Sequence, residues 1–127
     1  NNPDMRSEAV VISDNFFDGT KFGGLFVIGR NNRVTNNRLE RLNLARCTES
    51  AERFGCYYLT DPNLLRSGIY LGKGVRRLEA TEGNVVENNT IQGWKMKQRC
   101  IGVQPGVSLK SNRVGQNNCL DQPSSGL

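Results

Sequence analysis

The chain has 127 residues, 36% of them hydrophobic, with a formal net charge of +5 and a mean hydropathy of −0.53. That length makes one domain, 1–127, and without a long apolar run no segment is expected to insert into a membrane. Fifteen asparagines and fourteen glycines argue for a fold that bends sharply and often, and against a helical protein.

The first residues, Asn1-Asn2-Pro3-Asp4, carry no methionine and no apolar leader. They read as the start of a processed or truncated product, a C-terminal piece of a longer chain. A strand is expected from Ala9 to Ile12, turned by Asn15 into Phe16-Phe17. Gly19 to Gly24 is a connection. Leu25 to Ile28 is the next strand, Arg33 to Thr35 another, and after Asn37 a third runs from Arg38 to Leu42.

The rhythm then breaks. Residues 43–67 read as an insertion, with a short helix predicted over Leu44 to Phe54. A strand resumes at Ile69-Tyr70-Leu71, and a second insertion, 73–83, follows it. Val85-Val86 and Thr90-Ile91 flank Asn89, Ile101-Gly102-Val103 is a further strand, and Leu109 to Val114 closes the series. The tail from Asp121 is turn-rich and expected to fray.

One unit recurs: an apolar residue, two polar residues, an asparagine, any residue, an apolar residue. It lies at Ile12–Phe17, Val34–Leu39, Val86–Ile91 and Leu109–Val114. Its asparagines, Asn15, Asn37, Asn89 and Asn112, recur at the spacing of a stacked repeat, with two insertions lengthening one gap. Asparagine tolerates a left-handed bend, and copies stacked at ~4.8 Å can bond one another through their amides. Period-2 alternation then predicts inward positions: Ile12, Phe17, Phe26, Ile28, Val34, Leu39, Ile69, Leu71, Val86, Ile91, Ile101, Val103, Leu109 and Val114.

These residues and spacings resemble a right-handed parallel β-helix of the pectate-lyase-like superfamily, over residues 9–118. The resemblance implies an all-β solenoid of about four coils, with the asparagines as an internal ladder. It also implies a substrate groove along the first-strand sheet, here floored by Val27, Tyr70 and Gly102 and walled by the two insertions.

Four cysteines in a chain without histidine exclude a mixed cysteine–histidine zinc site, and no C-x-x-C pair suggests a metal. Disulfides are the better reading. Of the three pairings open to Cys47, Cys56, Cys100 and Cys119, the sequential one is favoured. An oxidising compartment follows, so the protein is expected to be secreted or periplasmic.

A basic surface attracts anionic partners. No nucleic-acid motif is present, and an acidic polysaccharide suits the expected fold better. The candidate binding residues are Tyr57, Tyr58, Arg66, Tyr70, Trp94, Lys95 and Arg99: aromatic faces for sugar rings, guanidinium forks and ammonium groups for carboxylates. If the protein is an enzyme, the resemblance implies a polysaccharide lyase, and Lys73 crowded by Arg76 and Arg77 is the candidate base. Calcium assists in such enzymes, but Asp61 is the only aspartate in the insertions, so no metal ligand is assigned. The acidic pairs Glu49/Glu52 and Glu79/Glu82 sit in no hydrolase motif. The alternative is a non-catalytic structural, adhesive or assembly segment. No capping helix precedes the first repeat, so self-association through an uncapped end coil is a further expectation.

Overall fold

A computed structural model describes residues 10–47, 66–73 and 81–121. Among the described residues there are eleven strands: β1 Val11–Ser13, β2 Phe16–Asp18, β3 Leu25–Ile28, β4 Arg33–Thr35, β5 Arg38–Leu42, β6 Ile69–Gly72, β7 Val85–Glu87, β8 Thr90–Gly93, β9 Ile101–Val103, β10 Arg113–Val114 and β11 Asn118–Asp121. One short 3-10 turn spans Leu109–Ser111. The strands form three parallel sheets, β3-β6-β9, β1-β4-β7-β10 and β2-β5-β8-β11. From β3 onward the chain visits the sheets in rotation, and each strand pairs with the strand three places later. The expected all-β, parallel architecture is present, and the predicted strand at Arg38–Leu42 has the observed bounds.

Registers make columns of apolar side chains. Ile12, Val34, Val86 and Val114 align in one sheet. Phe17, Leu39, Ile91 and Cys119 align in another. Leu25, Ile69 and Ile101 align in the third, beside Val27, Leu71 and Val103. The middle members of these columns are buried and form one cluster with Leu42 and Met96. Between Leu39 and Leu42 the pairing of β5 with β8 slips by one residue, a bulge that puts Arg41 at φ 51°.

Three inward assignments are corrected. Phe26 is 48% exposed whereas Val27 is 5% exposed, so the third sheet faces in through Leu25 and Val27. Ile28 is half-buried outside the cluster. Four consecutive apolar residues carry no phase of their own, and pairing of Leu25 with Ile69 and Val27 with Leu71 sets it. Leu109 is 49% exposed, because it opens the 3-10 turn instead of a strand.

The ladder is also corrected. Asn15, Asn37, Asn89 and Asn117 bond in file, each Nδ2 donating to the next Oδ1 at 2.9–3.1 Å. Asn112 belongs to a second file, Asn32–Asn84–Asn112, bonded in the same way at 2.8–2.9 Å. The last unit is therefore Val114-Gly115-Gln116-Asn117-Asn118-Cys119; Asp121, where the frayed tail was expected to start, is the last residue of strand β11, and the rest of that tail lies outside the described residues. Before five of the seven ladder asparagines the chain is left-handed: Asp14, Asn36 and Asn88 lie at φ 57–58°, Asn31 at 59° and Gly83 at 70°, whereas Ser111 and Gln116, before Asn112 and Asn117, are not. A left-handed residue there turns the chain so that the following asparagine points inward. Both files are buried across their middle members, so the amides satisfy each other where water is excluded.

Cys100 and Cys119 form a disulfide, tying the entry to β9 to strand β11. Cys47 is also disulfide-bonded, to a partner outside the described residues, where Cys56 lies. Most of insertions 43–67 and 73–83 and of the predicted helix over 44–54 also lies outside them. Among the described residues no helix is long and apolar enough to cross a membrane.

Candidate functional site

The outward face of the β3-β6-β9 sheet carries Phe26, Tyr70 and Gly102, with Phe26 in the place expected for Val27. Tyr70 is 1% exposed, and its ring centroid lies 5.3 Å from that of Phe26. Its hydroxyl finds no hydrogen-bond partner. A Cβ at Gly102 would fall on Ser67 Oγ and within 3.0 Å of Tyr70 Cδ1, so this part of the sheet is already covered. Arg66 is 4% exposed. Tyr70 and Arg66 therefore present no free face or fork to a sugar chain, which corrects their expected place in an open groove.

Lys73 follows the C-terminal end of β6. Its backbone N–H donates to Gln104 Oε1 at 2.7 Å, and its exposed side chain runs over Gly106. Trp94, Lys95 and Arg99 lie in the connection from β8 to β9, beside the N-terminal end of β9. Parallel strands put these at opposite ends of the sheet, separated by at least the length of β6, ~13 Å at 3.3 Å per residue. The structure thus divides the candidate lining between two corners. Tyr57, Tyr58, Arg76 and Arg77 lie outside the described residues.

The 94–100 corner is built by local chemistry. Trp94 N–H donates to Leu42 O at 3.1 Å, Met96 N–H to Gly93 O at 3.3 Å and Arg99 N–H to Met96 O at 2.9 Å. Met96 is fully buried and anchors the turn, while Lys95 and Lys97 point to solvent. Lys95 sits at φ 51°, with its Nζ 4.9 Å from the Trp94 ring centroid. That approach holds an ammonium over an electron-rich face. Lys97 N–H donates to Asp121 Oδ1 at 2.8 Å, which secures the corner to β11.

Lys95, Lys97, Gln98, Arg99 and Asp121 line a depression of about 250 Å³. Three cations around one carboxylate make it electropositive. Sequence reasoning named Lys95 and Arg99 and missed Lys97, Gln98 and Asp121. The legible signal was the alternation Lys95-x-Lys97-x-Arg99, which brings three cations into one short turn. A second depression, about 180 Å³ and mostly apolar, lies at the β1/β3 end and is lined by residues including Ile12, Phe26, Val27 and Val34.

Among the described residues there is no group of three or more carboxylate or cysteine ligands suited to a metal. Asp121 is committed to the Lys97 amide and ringed by cations, so these residues do not fit calcium. No protein-family model, curated protein or solved structure matches the chain.

Proposed function

We propose that the chain folds as a right-handed parallel β-helix of the pectate-lyase-like kind, works in an oxidising extracellular or periplasmic setting, and binds an acidic polysaccharide at the 94–100 corner. The rotation through three parallel sheets and the internal asparagine files support the fold. The Cys100–Cys119 bridge supports the compartment.

The observation that carries the function is the grouping of Lys95, Lys97 and Arg99 around one concave site. A uronate polymer offers a carboxylate on every ring, and ammonium and guanidinium donors meet such carboxylates by charge-assisted hydrogen bonds. Trp94 fixes one ammonium by holding it over its ring. Exposed pairs are worth only ~0.2–1 kcal/mol each, so affinity requires several at once, and salt weakens it.

Retention on immobilised pectate, alginate and a neutral dextran column tests this. The native chain is expected to bind the two uronate polymers and elute with rising salt, while dextran retains nothing. The Lys95→Ala/Lys97→Ala/Arg99→Ala variant is expected to lose at least tenfold in affinity. Equal retention of that variant refutes the assignment. Ultraviolet absorbance of the same incubations reports whether the bound polymer is also cleaved by elimination.

A further inference from the structure

The bend between β7 and β8 holds two adjacent asparagines with opposite duties. Asn89 points inward and belongs to the buried file. Asn88 is exposed at φ 58°, and its backbone N–H donates to Gln116 O at 2.7 Å. Its side-chain amide makes no hydrogen bond with any described residue. The bend needs a left-handed residue here, and Asp14 and Asn36 meet that need in the two preceding layers. It makes no use of the Asn88 amide.

Two residues on, Thr90 opens β8 and is half-buried on the outward face of its sheet. Its column carries Phe16, Arg38 and Asn118 in the other layers, so the stack itself calls for no hydroxyl at this position. Asn88-Asn89-Thr90 is the only Asn-x-Ser/Thr in the chain. A hydroxyl two residues after an asparagine is the second element that N-glycan transfer requires, and a group that bulky must stand in solvent once the chain folds.

We propose that Asn88 carries an N-linked glycan. In that transfer the Asn88 Nδ2 loses a proton and bonds the anomeric carbon of an oligosaccharide. The bond from that carbon to a lipid diphosphate breaks, and the diphosphate leaves with the electron pair. The glycan stands at the corner between the β1-β4-β7-β10 and β2-β5-β8-β11 sheets. Trp94 and the cationic depression follow the other end of β8, ~13 Å away at 3.3 Å per residue, so the glycan leaves that depression open. The proposal rests on the oxidising extracellular setting proposed above, since such acceptors belong to the surfaces of secreted chains.

The intact chain, secreted from eukaryotic cells behind a cleavable leader, tests this by non-reducing mass spectrometry. The native protein is expected to carry one glycan, released by an amidase that leaves aspartate at position 88. Thr90→Ser is expected to keep the glycan, whereas Thr90→Ala and Asn88→Gln lose it. Thr90→Ala leaves the bend residue in place, so it decides the matter if Asn88→Gln fails to fold. A chain secreted with the Cys100–Cys119 bridge formed and no glycan overturns the proposal and leaves the oxidising setting standing. Free thiols overturn that setting, and the proposal with it. A glycan that persists in Thr90→Ala places the attachment elsewhere and also overturns it.

Discussion

Asn89 Oδ1 accepts two hydrogen bonds from Asn37, one from its backbone N–H and one from its Nδ2, both at 3.0 Å. Asn89 in turn sends its Nδ2 to Val34 O and to Asn117 Oδ1. One side chain thus satisfies groups in the layers on both sides of its own, at a position only 1% exposed. Asn89→Ala strands the Asn37 donors and the Val34 carbonyl in the interior. At ~1–3 kcal/mol for a stranded buried group, a total loss of about 3 kcal/mol is expected, read as a lower urea midpoint. The neighbour behaves differently. Asn88 is exposed at φ 58°, so Asn88→Gly should change stability by less than ~0.5 kcal/mol, while Asn88→Val should cost ~1–2 kcal/mol. Equal effects at the two positions would contradict the division of labour at the bend.

Much of this architecture was legible. Asn15, Asn37 and Asn89 sit between an apolar residue three places before and another two places after, and that spacing survives in the structure. Asn112 shows where the pattern misleads. Leu109-x-x-Asn112-x-Val114 matches the unit, yet Leu109 sits in a 3-10 turn and Asn112 in the second file. The distinguishing signal was a second asparagine five places on: Asn32 with Asn37, Asn84 with Asn89, Asn112 with Asn117. At the candidate site, residue type was readable and position was not. Whether Tyr70 is open or covered depends on Phe26 and Ser67, which are distant from it or on another element in sequence. The split between Lys73 and Arg99 follows from strand direction, which residue type does not encode.

The phase of β3 gives a direct check. Val27 is buried against Leu71, whereas Phe26 points out and keeps a solvent-exposed edge. Val27→Thr preserves shape but buries a hydroxyl, at a cost of ~1–3 kcal/mol. Phe26→Tyr puts its hydroxyl toward water and should stay within ~0.5 kcal/mol of the native chain. Thermal unfolding of the two variants separates the observed phase from the opposite one, which predicts the reverse order.

The Cys100–Cys119 bridge closes a loop of sequence separation 19 around β9, β10 and β11. Closing a loop of that size stabilises by ~3 kcal/mol through the unfolded chain. The paired variant Cys100→Ala/Cys119→Ala should lose about that amount, with β9 and β11 losing protection first in hydrogen exchange, since each has a partner strand on one side only. Uniform loss across all three sheets would show instead that the stack unfolds as one unit.

Arg41, turned outward by the bulge in β5, donates from Nε to Asp18 Oδ1 at 2.6 Å and from Nη2 to Oδ2 at 3.2 Å. This fork holds the Asp18 carboxyl below its usual range, by hydrogen bonding first and by charge attraction second. A carboxyl whose pKa is depressed on folding binds its proton more weakly in the folded chain than in the unfolded one. Its contribution is therefore present above the unfolded value of ~3.9 and is lost as pH falls through the folded value. Carboxyl carbon shifts of Asp18 should titrate below ~3.9 in the native chain and return toward that value in Arg41→Gln. Because the pair is exposed, 0.5 M salt should narrow the difference between the two proteins. A native midpoint at or above that of Arg41→Gln would mean that the fork does not persist in solution.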